Sequence, residues 1–171
     1  MTNKRYTNTT FTKRVDHEAG RHRTRRSPAE PLVCEGCGAV YSLRRWTRKS
    51  ELKADRSATK QTAKSTLCPA CKQARDGVPS GFVYVKGKFY VKHRVEIGCL
   101  LRNEAERDAQ DNPLARIMSW EDTDGQLVIT TTTEHLAQRL GHGLEKAFDG
   151  KVRYDFSHEN KLARVYWERN V

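Results

Sequence analysis

The last third of the chain carries the clearest alternation of apolar and polar positions. Leu136, Ala137, Leu140, Leu144, Ala147 and Phe148 recur at the helical period and predict an amphipathic helix over 134–148. Thr132 or Thr133 offers a hydroxyl N-cap, and Asp149-Gly150 stops the helix. Before it, Leu127-Val128-Ile129-Thr130-Thr131 reads as a strand. Ile117–Glu121 reads as another strand, or a short helix running into one, and Asp122-Thr123-Asp124-Gly125 is the turn between them. After the helix, Val152, Tyr154 and Phe156 alternate with Arg153, Asp155 and Ser157. The chain turns over 157–160, and Leu162–Trp167 returns antiparallel. The order ββαββ predicts an α+β fold: a small antiparallel sheet with helices on one face.

Upstream, Phe82–Val91 is β-prone, with a turn at Lys86-Gly87. A helix is predicted over about 93–110, with Val95, Cys99, Arg102 and Ala105 on a modest apolar face beside Leu100 and Leu101. Asn112-Pro113 ends it. Cys99 is expected to be a small core residue rather than a reactive thiol.

Before residue 81 the pattern thins. Leu32-Val33 reads as a short strand, and Val40, Tyr41, Leu43 and Trp46 mark a second. Residues 1–31 hold Tyr6, Phe11 and Val15 as their large apolar side chains, so they read as an extended basic arm, unstructured when free. Residues 48–66 are rich in Lys, Ser, Thr and Ala and read as a basic excursion, a loop or marginal helix. Gly77, Pro79 and Gly81 mark an exit. Three units follow: the arm over 1–31, a cysteine module over 32–80 with the excursion 48–66, and an α+β domain over 81–171.

The cysteine module is named for Cys34-Glu35-Gly36-Cys37 and Cys68-Pro69-Ala70-Cys71. Each C-x-x-C turn lets two thiolates reach one metal, and together they supply four soft anionic ligands for a closed tetrahedral Zn²⁺ site. Four protein ligands leave no open position, so the metal is expected to be structural. An iron–sulfur cluster, or redox chemistry at Cys68-Pro69-Ala70-Cys71, is the competing reading. The 30 residues between the pairs exceed the usual spacing of about 15–20 in compact four-cysteine sites.

Charge changes where the function is sought. The chain carries +11. Residues 1–32 hold eight Lys/Arg against three Asp/Glu, residues 33–80 ten against four, and residues 81–171 fourteen against fourteen. All the excess therefore lies in the arm and the cysteine module, a front suited to polyanions, with nucleic acid first. The candidate phosphate contacts are Arg14, Arg21, Arg23, Arg25 and Arg26 in the arm, with Arg44, Arg45, Arg48, Lys49, Lys72 and Arg75 in the module. Trp46, set among arginines, is a candidate for stacking on bases, although at least one of Tyr41 and Trp46 is expected to cover the small metal core.

No catalytic constellation is legible. There is no phosphate loop, dinucleotide fingerprint, nucleophile elbow or H-E-x-x-H, and His135 and His142 have no third ligand at metal spacing. There is no apolar run of signal-peptide or transmembrane length, and the cysteines read as ligands rather than disulfides. A cytoplasmic, non-membrane, non-enzymatic protein is the expectation.

The C-E-G-C-G and L-C-P-A-C turns, the Phe82–Arg107 stretch and the Leu127–Trp167 unit resemble a small bacterial C-x-x-C zinc-ribbon family of unsettled function, over about residues 32–168. More remotely, the same order is similar to the N-terminal part of the large-ribosomal-subunit nuclear export adaptor family. There, C-x-x-C zinc turns precede an α+β region, and the protein binds the subunit-interface side of the ribosome. Cys34, Cys37, Cys68 and Cys71 match as metal ligands. That family has more C-x-x-C pairs, and its export signals have no counterpart here. The resemblance implies contact with the ribosome or ribosomal RNA, in translation, hibernation or assembly, and not export. A DNA-binding regulator and an adaptor docking an acidic protein partner are the other readings.

Overall fold

The computed structural model describes residues 31–48, 64–123, 125–157 and 161–171. The predicted arm lies outside these apart from Pro31, as does most of the 48–66 excursion. Among the described residues the fold is α+β, with two mixed sheets and four helices.

The cysteine module holds the first sheet. Its strands are β1 (Leu32–Cys34), β2 (Val40–Ser42), β3 (Arg45–Thr47) and β4 (Lys64–Thr66), in the order β3-β2-β1-β4. Instead of one continuous second strand, Val40–Thr47 forms a hairpin. Its turn residues Leu43 and Arg44 both take positive φ, at 51° and 60°. That geometry normally calls on Gly or Asn, so the turn was not legible in the sequence. β4 emerges from the end of the supposed excursion and pairs parallel to β1, with Cys34 opposite Thr66. Helix α1 (Pro69–Asp76) follows at once. Proline at its first position needs no N–H partner there, and Gly77 closes it with φ 64°.

The second sheet is built from β5 (Gly81–Lys86), β6 (Ile117–Thr123), β7 (Gln126–Thr131), β8 (Lys151–Ser157) and β9 (Leu162–Glu168), in the order β6-β7-β5-β9-β8. It is not the purely antiparallel sheet expected. β5 lies between the hairpins β6–β7 and β8–β9, antiparallel to β7 and parallel to β9. The cause is the crossover. Helix α4 (Glu134–Phe148) carries the chain over the sheet, so β8 starts in the direction of β7, and β9, turning back, runs with β5.

Between β5 and β6 come α2 (Lys88–Lys92) and α3 (Arg94–Asp111). The predicted strand thus ends at Gly87, whose φ of 113° turns the chain into a helix that buries Tyr90. The phase of α3 also differs from expectation. Ile97 and Leu101 are buried, whereas Val95 is 76% exposed and Cys99 is on the surface. Cys99 sits two residues from Ile97, about 200° around a helix, so the two cannot share a face. Farther along, Asp108 turns inward and takes Arg139 Nη1 at 3.2 Å, while Arg139 Nε reaches Glu104 at 3.0 Å. Burial raises the Asp108 pKa despite the guanidinium.

The main core lies on one side of this sheet. Val83, Val85, Leu127, Ile129, Val165 and Trp167 point toward Leu136, Leu140 and Leu144 of α4 and Ile97 and Leu101 of α3. Thr133, with its hydroxyl accepting from Leu136 N–H at 3.2 Å, is the N-cap of α4. None of the described helices is long and apolar enough to cross a membrane.

Close approach of α4 to the sheet depends on Gly141. A Cβ there would stand 2.5 Å from Val165 Cγ1 and 3.1 Å from Tyr154 Cε1. Gly141→Ala gains about 1 kcal/mol of helix propensity but incurs about 1–3 kcal/mol of overpacking. The expected outcome is a net loss on the order of 1 kcal/mol, read as a lower urea midpoint at unchanged slope. A raised midpoint would mean that α4 stands off the sheet.

Candidate metal centre and basic hairpin tip

Two local structures bring the four cysteines together. Cys34 ends β1, and the chain folds back through Glu35-Gly36-Cys37. Gly38 N–H donates to Cys34 O at 2.9 Å, and Cys34 N–H donates to Ala39 O at 2.8 Å. The β1–β4 register sets the second half beside the first. Two residues beyond Thr66, Cys68 N–H donates to Cys34 Sγ at 3.2 Å. Cys68 is itself the N-cap of α1, with Sγ accepting from Cys71 N–H at 3.4 Å. Gly36 permits the approach, since a Cβ there would lie 3.0 Å from Cys71 Sγ.

The four sulfurs of Cys34, Cys37, Cys68 and Cys71 lie within 4.8 Å of one another, and this group could hold a metal ion. Cys37 and Cys68 are 3.7 Å apart at sulfur. A disulfide would bring them to about 2.05 Å. Tetrahedral coordination with metal–sulfur bonds of about 2.3 Å places sulfurs about 3.8 Å apart. The donor set and its spacing therefore fit one tetrahedral ion.

The thiols differ in their hold on the proton. Burial resists ionisation of Cys34, but hydrogen bonds from the Cys68 N–H and from Cys37 and Gly36 outweigh it and lower the thiol to about 7. Burial dominates at Cys68 and Cys71 and raises both. The N-terminus of α1 offers partial positive charge to these two sulfurs.

Arg116 is the functional residue that sequence reasoning missed. It lies between α3 and β6, in no motif. Its Nε donates to Pro113 O at 2.9 Å and its Nη1 donates to Cys71 Sγ at 3.6 Å. Burial opposes its charge, but the thiolates, Cys37 foremost, raise its pKa. Four thiolates around a divalent ion carry −2 in formal charge, and Arg116 offsets one unit. Leu114, two residues earlier, packs in the small core with Leu32, Tyr41, Trp46 and Ala70. The centre is thereby fastened to the α+β domain.

The predicted polyanion contacts scatter around this knot. Arg44 and Arg45 are exposed at the tip and start of the β2–β3 hairpin, beside Leu43 at 68% exposure. Arg48 and Arg116 line a cleft of about 380 Å³ with Cys37, Gly38, Ala39, Ala109 and Pro113. Lys72 is half-buried on α1, and Arg75 is exposed there and paired with Asp76 at 2.8 Å. Trp46 corrects the stacking expectation. It is buried, 5.4 Å from the Tyr41 ring between centroids, and belongs to the small core because this module has little else to bury. Arg14, Arg21, Arg23, Arg25, Arg26 and Lys49 lie outside the described residues.

The expected composition is one metal ion per chain by atomic emission. Cys68→Ser should abolish it and Cys99→Ser should leave it intact. Binding needs deprotonated sulfur, and raised thiols recapture protons first. Metal retention should therefore fall as pH is lowered, read by dialysis at stepped pH. Full metal content in Cys68→Ser would exclude this centre.

Compared with known proteins, the chain matches no protein-family model, no curated protein and no solved structure, so its own residues carry the functional reading.

Proposed function

We propose that this chain is a non-enzymatic zinc-ribbon factor that binds ribosomal RNA on the ribosome in the cytoplasm, in translation, hibernation or assembly. Zn²⁺ is the ion that the donor set favours, being four-coordinate and served by soft anionic thiolates. Sulfurs within 4.8 Å of one another support a single ion over an iron–sulfur cluster, whose irons and sulfides hold the thiolates farther apart. Four protein ligands close the coordination sphere, which supports a structural metal and a non-enzymatic role.

The observation that carries the reading is the hairpin tip. Leu43 and Arg44 hold left-handed backbone that non-glycine residues occupy at a cost of about 1–3 kcal/mol each. The strain presents Leu43, Arg44 and Arg45 to solvent from a metal-fastened base. Exposed arginines on a rigid tip suit phosphate oxygens, to which a guanidinium can donate two parallel hydrogen bonds. The charge balance points the same way, since the surplus of +11 falls in the first 80 residues. The remote likeness of the C-x-x-C turns and α+β order to the ribosome-adaptor family is what suggests the ribosome as the place of action.

Full-length protein should co-sediment with ribosomes or one subunit at low salt and leave after a high-salt wash. Arg44→Ala/Arg45→Ala should weaken binding about tenfold or more. It should also flatten the slope of log affinity against log salt by about 1.5, as expected for two lost phosphate contacts. Ribosome-free sedimentation at low salt would overturn the proposal. Preference for a defined DNA duplex would replace it with a regulator, and a nuclease-resistant protein complex would replace it with an adaptor.

A further inference from the structure

The second sheet has two faces of different chemistry. The inward face mixes aliphatic side chains with Trp167, Tyr154, Phe156 and Trp120 and is packed under α3 and α4. The outward face carries Phe82 and Tyr84 of β5, Tyr166 of β9 and Arg153 of β8. Strand register sets Tyr84 beside Tyr166, and Tyr166 beside Arg153. Among the described residues, the buried apolar side chains of α3 and α4 all lie on the inward side.

These planar groups form a ladder. The Tyr84 and Tyr166 rings are 4.9 Å apart at 8° to one another, and Phe82 follows Tyr84 at 6.2 Å and 8°. Guanidiniums flank the rings: Arg153 lies 4.4 Å over Tyr166, and Arg164 lies 5.8 Å over Phe82. The arrangement is cation, three rings, cation, across the middle of the sheet.

We propose that this outward face is a stacking platform for a short single-stranded nucleic acid, a second contact that lies on the neutral half of the chain. It rests on the polyanion reading above but uses none of its residues. A base stacks on the Tyr166 end of the ladder in place of Arg153, which turns to a phosphate, while Arg164 stays bonded to Tyr84. Arg153 can make that move cheaply. Its side chain is 68% exposed and its bond to Asp155, at 3.3 Å, is a surface pair worth little. Base–aromatic stacking is tolerant of sequence, and guanidiniums next to rings supply the phosphate contacts.

The chemistry of the face selects this occupant over a protein helix or strand. An apolar helix needs aliphatic surface, and Val128, beside Tyr84, is the one aliphatic side chain in the two rows that hold the ladder. The ordinary alternative is that the ladder is cross-strand packing alone, which stabilises a sheet by about 0.2–1 kcal/mol per pair. Binding separates the two.

The probe is a fluorescein-labelled single-stranded octamer, as RNA and as DNA, with the matching duplex as control. Tyr84→Leu/Tyr166→Leu in the full chain keeps apolar bulk and removes two rings. It should weaken octamer binding by at least tenfold at constant salt slope, while Tyr84→Phe/Tyr166→Phe binds as wild type. Both variants should sediment with ribosomes as the wild type does, because the hairpin tip is unchanged. Matching thermal melts for the leucine and phenylalanine variants ensure that folding is not what changed. Wild-type affinity in the leucine variant, binding of the duplex alone, or no octamer binding at low salt would overturn the platform. Equal binding of RNA and DNA would support it as a stacking site, and RNA preference would support it with a ribose contact. A failure here with intact ribosome binding leaves the hairpin-tip reading standing, and the reverse holds for Arg44→Ala/Arg45→Ala.

Discussion

The pairing of β1 with β4 governs the front half of the molecule. Three parallel residue pairs are a small sheet by any measure, yet they fix the distance between two C-x-x-C turns separated by 30 residues of chain. With Cys34 opposite Thr66, Cys68 cannot avoid Cys34. So short a sheet cannot hold itself together, because its buried apolar area is small and closing a long loop costs entropy. A bound ion would supply the missing free energy, since metal binding in such modules is largely folding free energy. Everything displayed from this base, the strained Leu43-Arg44 tip above all, depends on those thiolates staying together.

Arg116 links that centre to the rest of the chain, and its charge has two claimants. It shares a cleft with Arg48, so two guanidiniums line that opening. The thiolates are nearer and already hold its Nη1. The pair is half-buried, so part of the cost of stripping a buried charge of its partner applies, against the small return of one solvent-exposed phosphate contact. Arg116 is therefore assigned to sulfur, and the proposed polyanion contact to the exposed arginines of the hairpin.

Much of this was readable from residues. Cys34, Cys37, Cys68 and Cys71 announce their centre by spacing, and α4 follows the period of Leu136, Leu140 and Leu144. What failed to show has physical reasons. The β5–β9 pairing joins residues about 80 apart, and no local pattern encodes it. The Leu43-Arg44 turn uses residues that turns avoid. Cys99 and Val95 mimic a core face because α3 is weakly amphipathic, and only packing against α4 sets its phase. Helix α1 hid behind its own metal motif, although Pro69 after Cys68 is a fair helix-start signal. Arg116 is one arginine among many until the fold brings it to a thiolate.

The same pairing explains why the aromatic ladder was invisible. Alternation in β5 separates Phe82 and Tyr84 from Val83 and Val85, but it does not say which set is covered. Once α4 crosses the sheet and Gly141 lets it settle against Val165, the smaller aliphatic set must be the core. In β5 the larger aromatic pair is left outside, whereas β8 and β9 send Tyr154, Phe156 and Trp167 inward. Three rings and two guanidiniums stay in register across three strands, and the proposed stacking platform rests on that geometry.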